Sequence, residues 1–173
     1  MDGSKLQVNH KKSSGGKVTD YVGNMIYEGG SLKRILVDGG FYEEGKYYFY
    51  LKDHLGNNRV VADASGSAIQ VTHYYPFGMS FTEGFEQDIK PAKQPYKYNG
   101  KELDGENSLN WYDYEARQLA MDVPRFTSID PLAEKYYSIS PYVYVLNNPL
   151  KYIDPNGLDT LLINRESGRI EDH

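Results

Sequence analysis

The chain has 173 residues, 39% of them hydrophobic, which is enough to bury the core of one domain. Its formal net charge of −5 and pI near 5.4 provide no basic field for a phosphate backbone, so nucleic acid is not an expected partner. The absence of Cys excludes disulfides, thiolate metal sites and a Cys nucleophile. No apolar run approaches the roughly 20 residues of a membrane helix, and the first residues lack the apolar core of a signal peptide.

The composition is rich in Tyr and Gly, with 17 residues of each. Tyr suits half-buried pleated surfaces, and Gly supplies the positive φ angles of tight turns. Many short hairpins are therefore expected, which predicts a mainly β fold of consecutive antiparallel hairpins.

The first 17 residues carry a Ser-Ser-Gly-Gly run among polar neighbours and are predicted as a flexible lead-in or the end of a preceding repeat. Over residues 18–81, turn signals recur at intervals of roughly 6 to 12 residues, which is typical of hairpins. Strands are predicted at 32–37, 47–51, 59–62 and 69–75. Within 47–51, the odd-numbered side chains should share one face and the even-numbered ones the other.

Residues 82–95 are charged and lack an apolar period, so they are predicted as a loop. A second strand series follows at 96–98 and 109–114. Residues 131–137 are predicted to form a short helix, with Asp130 as its cap and Pro131 in its first turn. The β-branched and aromatic run 141–146 is predicted as a strand.

Two segments, 21–27 and 50–59, share a pattern of tyrosine with Gly-Asn, and the second resembles the Tyr-Asp repeat of the RHS family. A more specific set of motifs follows: YYPFG at 74–78, YNGKE at 98–102, WYDYEAR at 111–117, RFTSIDP at 125–131, NNP at 147–149 and DPNGL at 154–158. In this order and spacing, residues 18–158 resemble the RHS repeat-associated core domain of bacterial polymorphic toxins, in its Bacteroidetes-like version.

The resemblance implies that residues 18–81 are the last hairpins of a hollow YD-repeat β-shell, and that 96–158 form a small mixed core that plugs it. It implies partners in preceding RHS repeats and a C-terminal toxin or effector segment, with an immunity protein for the parent toxin. The parent would be secreted or associated with the cell surface. Residues 159–173 would begin the variable C-terminal region, and fifteen residues are too few for a toxin domain.

In the resembled family, the core cuts its own backbone after the Leu of the DPNGL motif. The bond here would be Leu158-Asp159. The matching positions for the site are Arg117, Asp130 and Asp154. Two carboxylates sharing a proton can activate water and protonate the leaving amine, while an arginine can hold a carboxylate or a developing oxyanion.

The remaining motif residues are Pro155, Asn156 and Gly157. Asn-Gly on its own is a common turn, and Asp before Pro commonly starts a turn or caps a helix. If the following bond is cut, Gly157 would let the backbone bend closely past the two carboxylates.

One departure from the family pattern lies at residues 118–124, where Leu119, Ala120, Met121 and Pro124 replace the usual Tyr, Asp, Pro and Gly. The turn after Arg117 is therefore predicted to be altered, which leaves the seating of Arg117 open. At most, the chain would be a single-turnover, aspartyl-type self-cleaving enzyme.

Two alternatives stay open. The chain could be a structural or adhesive β-repeat module in which the Asp-Pro motifs are only turns, or, with less support, a general peptidase. The four His residues lack metal-ligand spacing, so neither a metal nor a cofactor is expected.

Overall fold

The computed structural model describes residues 5–10, 16–81, 94–105, 109–158, 160–163 and 170–171. These residues form short strands and single 3₁₀ turns. The strands are β1 (Gln7–His10), β2 (Lys17–Val22), β3 (Met25–Glu28), β4 (Ser31–Val37), β5 (Gly40–Glu43), β6 (Lys46–Lys52), β7 (Asn58–Asp63), β8 (Ala68–Val71), β9 (His73–Tyr74), β10 (Ser80–Phe81), β11 (Glu102–Asp104), β12 (Trp111–Asp113), β13 (Gln118–Ala120), β14 (Arg125–Phe126), β15 (Tyr152–Ile153), β16 (Leu161–Ile163) and β17 (Ile170–Glu171). The 3₁₀ helices are Tyr98–Gly100, Ala133–Lys135 and Val145–Asn147.

The strands β1 to β8 form one antiparallel sheet in which spatial order follows chain order. Tight turns make this meander possible, as between β4 and β5, where Gly39 has φ +72°. Three smaller antiparallel sheets follow: β9 with β10, β11 to β14, and β15 to β17. The predicted class, mainly β with consecutive antiparallel hairpins, is confirmed.

Strand β6 has the alternation that its sequence predicts. Tyr48 is buried, at 6% exposure, and its ring stacks on that of Phe41 with 4.8 Å between centroids. On the opposite face Tyr47, Phe49 and Leu51 are about half exposed. Period-two alternation therefore assigns one face of β6 to a small core and leaves an apolar face outside.

The main core lies in the C-terminal half of the chain. Its buried members come from β12 to β14 and from the turns on either side of them: Tyr98, Tyr112, Tyr114, Leu119, Met121, Phe126, Tyr144 and Val145. Partly buried side chains from the β9–β10 hairpin, β11 and β15 pack against them: Tyr74, Phe77, Leu103 and Tyr152. This core joins the hairpin segment to the DPNGL segment.

Two local predictions need correction. Residues 141–146 are not a strand: turns fill this segment, and the Val145–Asn147 3₁₀ helix closes it. Burial of Tyr144 in the core decides its path, so tertiary packing overrides β propensity. The predicted strand 69–75 is split at Thr72 into β8 and β9.

The short helix predicted at 131–137 is present only as the 3₁₀ turn Ala133–Lys135. Asp130 does not cap it, because the N-cap position is Leu132 and no side chain caps the helix. The Oδ1 of Asp130 instead accepts a hydrogen bond from the N–H of Leu132 at 2.8 Å, in a turn just before the helix. The predicted strand at 96–98 is reduced to an isolated bridge between Tyr96 and Glu102.

The predicted segment boundaries stay predictions. In the first segment, β1 pairs with β2, so Gln7–His10 is a strand of the main sheet. The charged loop falls largely on residues 82–93, outside the described residues. Asp159 lies outside them too. Among the helices that are described, none has the length and apolar character needed to cross a membrane.

The two faces of β6 can be tested by paired substitutions. Tyr48→Ala should lower the free energy of unfolding by about 3 kcal/mol, because it removes apolar burial and leaves a cavity. Tyr47→Ala, on the exposed face one residue away, should lower it by less than about 1 kcal/mol. Urea unfolding of both variants measures the difference, and equal losses would contradict the assigned faces.

Candidate functional site

The DPNGL motif forms a tight loop organised by the side chain of Asp154. Its Oδ1 accepts hydrogen bonds from three backbone N–H groups, those of Asn156 at 3.2 Å, Gly157 at 2.6 Å and Leu158 at 3.1 Å. Asp154 is buried, at 1% exposure. The aspartate therefore sets the conformation of the loop that carries the predicted cleavage position.

Gly157 brings this loop against the turn that precedes β13. Its φ is +77°, and a Cβ at this position would lie 2.8 Å from the carbonyl oxygen of Tyr114 and 3.0 Å from the amide nitrogen of Arg117. The N–H of Ala116 donates to the carbonyl of Asn156 at 3.1 Å. Glycine is required at position 157 for its positive φ and because the loop backbone approaches the 114–117 turn too closely for a Cβ.

Arg117 is the centre of the site. Its Nη2 lies 2.9 Å from Oδ2 of Asp130 and 3.3 Å from Oδ2 of Asp154, so one guanidinium nitrogen binds both carboxylates. Its Nε donates to the carbonyl of Gly157, and Nη1 donates to that of Pro141 at 3.3 Å. The three residues predicted for the site are thus brought together, with the motif loop held directly by the arginine.

The guanidinium is positioned by packing as well as by hydrogen bonds. Arg117 is 4% exposed, and its Cζ lies 3.8 Å from the centre of the Phe126 ring. The unusual residues after it do not displace it, because β13 pairs with both β12 and β14. Leu119 and Met121 are buried in the main core. The departure at 118–124 therefore alters core side chains and leaves Arg117 seated.

Burial shifts the pKa values of this cluster. It raises the pKa of Asp154 to about 6, against the opposing effects of the three backbone N–H groups and of Arg117. Burial also lowers the pKa of Arg117, although both aspartates counteract it. A carboxyl with a pKa near 6 exchanges protons close to neutral pH, as a general acid or base must.

A cavity of about 210 Å³ adjoins the cluster. Arg117 and Asp130 line it together with Leu158 and Thr160. Its apolar walls come from Ala133, Ile139, Val143 and Leu146, among others. Asp130 therefore faces a space next to the residue at which the chain is predicted to be cut.

A larger cavity, of about 470 Å³, lies between the first strands of the main sheet and residues 94–105. Its charged lining groups form ion pairs, as between Lys17 and Glu28 at 2.9 Å and between Lys5 and Glu102 at 3.0 Å. Because these charges are already compensated, the cavity does not point to a charged ligand. Within the described residues, no group of three His, Cys, Asp or Glu side chains could hold a metal ion.

The sequence did not indicate a role for Asn99, Tyr114 and Tyr144, which form a buried hydrogen-bonded group behind Phe126 and Arg117. Both tyrosines are fully buried and donate their hydroxyls to Oδ1 of Asn99, at 2.6 and 2.7 Å. Asn99 has a φ of +49°, and its backbone N–H donates a hydrogen bond to Oδ1 of Asn57 at 2.8 Å. Asn99 lies in an Asn-Gly pair that reads as an ordinary turn, so its buried contacts could not have been inferred.

No family model matches the chain. Salivary gland surface protein 1 of Aedes aegypti is 37% identical over 119 residues, which is 68% of this chain and 3% of that protein. Toxin subunit YenC2 of Yersinia entomophaga is 32% identical over 99 residues, 57% of this chain and 10% of the subunit. The tRNA3(Ser)-specific nuclease WapA of Bacillus spizizenii is 27% identical over 162 residues, 90% of this chain and 6% of the nuclease. The chain spans between 3% and 10% of these relatives.

Solved structures match over 91% of the chain at 20–21% identity. They include TcdB2-TccC3-Cdc42, with a TM-score of 0.72, and TcdB2-TccC3 without its hypervariable C-terminal region, with a TM-score of 0.71. The chain has the fold of a segment of these toxin-complex chains. That segment is 8% of their length. The match also agrees with the mainly β fold, as does the match to the Photorhabdus luminescens Tc holotoxin pore, with a TM-score of 0.73.

The close packing of Gly157 gives a stability prediction. Gly157→Ala should lower the free energy of unfolding by about 2 kcal/mol more than Gly66→Ala, because overpacking adds to backbone strain. Gly66 is a matched control: it has φ +85°, and an added Cβ meets no described atom within 4 Å. Urea unfolding of both variants checks this, and equal effects would mean that the loop is not packed against Tyr114.

The raised pKa of Asp154 gives a prediction for pH. The native state binds this proton more tightly than the unfolded chain, so the contribution to stability is fully present below about 3.8 and is lost as the pH rises through about 6. Stability should fall by up to about 3 kcal/mol over this range. Asp154→Asn cannot ionise and should remove that fall. Thermal unfolding of the parent and of Asp154→Asn is measured from pH 4 to pH 7, on protein of verified full-length mass. Parallel curves of stability against pH would contradict the raised pKa of Asp154.

Proposed function

We propose that the chain is the C-terminal core segment of an RHS-type repeat protein that encloses a C-terminal toxin or effector and cuts its own backbone once, after Leu158. The observation that carries the proposal is the buried Arg117, which holds Asp130 and Asp154 together at the loop containing Leu158. The relatives that are named as a toxin subunit and a nuclease support the toxin context.

The two carboxylates divide the work of hydrolysis. Asp130 lines the cavity beside Leu158 and accepts a proton from a water molecule there. The water oxygen bonds to the carbonyl carbon of Leu158, and the carbon–nitrogen bond to Asp159 breaks. Asp154, whose pKa is raised by burial, gives its proton to the leaving nitrogen. The products are a carboxylic acid at Leu158 and an amine at Asp159, and transfer of the acid's proton to that amine gives a carboxylate and an ammonium group.

Arg117 has two roles in this reaction. Its Nη2 contacts the carboxylates of both Asp130 and Asp154, which holds the base and the acid together, and its Nε anchors the carbonyl of Gly157, one residue before the cut. The reaction leaves Asp130 protonated and Asp154 ionised, the reverse of the starting state. A single cut needs no reset, which suits a chain whose substrate is its own backbone.

The wider assembly follows from the same proposal. Preceding RHS repeats would continue the main sheet beyond β1, in the manner of the antiparallel pairing of β1 with β2. The cargo would follow Leu158, and the name of one similar structure, TcdB2-TccC3 without its hypervariable C-terminal region, supports a variable segment at the C-terminal end. The parent protein would be secreted or associated with the cell surface, its toxin would have an immunity protein, and its core would be of the Bacteroidetes-like version.

A second candidate is a structural or adhesive module that is never cut. One observation favours it: the three N–H contacts of Asp154 are enough to explain an aspartate in this loop as a turn-forming residue. A relative named as a surface protein is consistent with it.

The intact mass of the purified chain separates the two candidates. If the chain cuts itself, the parent should lose residues 159–173, and Asp130→Asn and Asp154→Asn should each keep the full mass. Arg117→Lys retains the charge but not the paired contacts, so its cutting should slow by about a hundredfold, a loss of the size seen for other electrostatic groups of active sites.

Asp122→Asn is the matched control. Asp122 is an exposed aspartate in the turn between β13 and β14, and its replacement should leave cutting unchanged. Circular dichroism establishes that each variant is folded. Full-length mass for the folded parent would reject self-cleavage and favour the structural module, while cleavage of added peptides would instead indicate a general peptidase.

A further inference from the structure

The turn Val145–Asn147 is held in an unusual backbone conformation. Its three residues have φ angles of +43°, +54° and +56°, and none is glycine. A β-branched residue such as Val145 rarely adopts a positive φ. Such strain persists only where the surrounding structure enforces it, and it is concentrated at functional sites.

The core enforces this conformation from the N-terminal side. Tyr144 is fully buried and its hydroxyl is bound to Asn99, so the chain enters the turn from a fixed point. The turn is closed by two backbone hydrogen bonds, from the N–H of Asn147 to Tyr144 at 3.0 Å and from that of Asn148 to Val145 at 2.9 Å. Val145 itself is 1% exposed.

The middle residue of the turn, Leu146, lines the cavity that Leu158 also lines. Ile139 and Val143 add further apolar walls, and Arg117 and Asp130 are among the polar groups. The strained turn thus places a large aliphatic side chain beside the residue whose carbonyl is attacked in the proposed reaction.

We propose that this cavity is a subsite that recognises an apolar side chain at position 158, and that Leu146 is its specificity-determining residue. The inference rests on the proposed function. Aliphatic walls favour an apolar group and leave a buried amide or charge without compensation. The cavity volume of about 210 Å³ leaves space for longer side chains, so the selection is for polarity more than for size.

The test measures cutting during cell-free translation of the full chain, sampled over time by intact mass. Leu158→Met should be cut within about threefold of the parent rate, because volume-conserving apolar changes are tolerated. Leu158→Asn, of similar size but polar, should be cut at least about tenfold more slowly than the parent, because its amide is desolvated without a partner. Val123→Asn is the control for a polar substitution at an exposed apolar residue, and should leave the rate unchanged.

Leu146→Asn is the second arm. Asn tolerates positive φ, so the turn should be retained, as a thermal melt verifies. In this background the preference for Leu over Asn at position 158 should fall from about tenfold to about threefold or less, because the wall is now polar.

The outcomes distinguish a failure of the subsite from a failure of self-cleavage. An uncut parent rejects the proposed function and the subsite with it. A cut parent with equal rates for Leu158→Met and Leu158→Asn rejects the subsite alone. An unchanged preference in the Leu146→Asn background would show that Leu146 does not determine it.

Discussion

The structure of the C-terminal half depends on one buried guanidinium. Arg117 contacts two carboxylates and two backbone carbonyls, and it is almost completely removed from solvent. One positive charge faces two acidic groups, so the cluster is balanced only when one of the acids carries a proton. Burial favours a proton on Asp154 by raising its pKa to about 6. Burying two carboxylates with one guanidinium costs free energy, and the same burial favours a proton on Asp154 that could be transferred in a reaction.

Packing around the guanidinium comes from parts of the chain far apart in sequence. The ring of Phe126 lies against Arg117, and the ring of Tyr114 meets that of Phe126 edge to face at 5.7 Å. Tyr114 then reaches Asn99, which binds Asn57 in the turn between β6 and β7. The last hairpins of the main sheet are thereby connected to the site through buried hydrogen bonds. A core without those hairpins would lack the support beneath Tyr114.

Local patterns in the sequence predicted what depends on local rules. Alternation in β6 and the glycine turns of the meander follow from period and residue type. The grouping of Arg117, Asp130 and Asp154 was predicted from the resemblance to the RHS core, because spacing alone does not bring residues 37 apart into contact. The positive φ angles at Val145–Asn147 could not be predicted, because the β-branched and aromatic run 141–146 that leads into this turn favours a strand. The cavity that Leu146 of this turn helps to line could not be predicted either.

The site and its proposed substrate are one piece of the fold. Asp154 belongs to the loop that it organises, and the same Oδ1 binds the N–H of Leu158. Gly157 fixes that loop against Tyr114 and Arg117, so folding alone places Leu158 beside the cluster, without a binding step. A peptide added from solution would lack these anchors, which disfavours a general peptidase. The self-cleaving core and the uncut structural module share this geometry. The two hypotheses differ only in whether water in the cavity beside Asp130 attacks the carbonyl of Leu158.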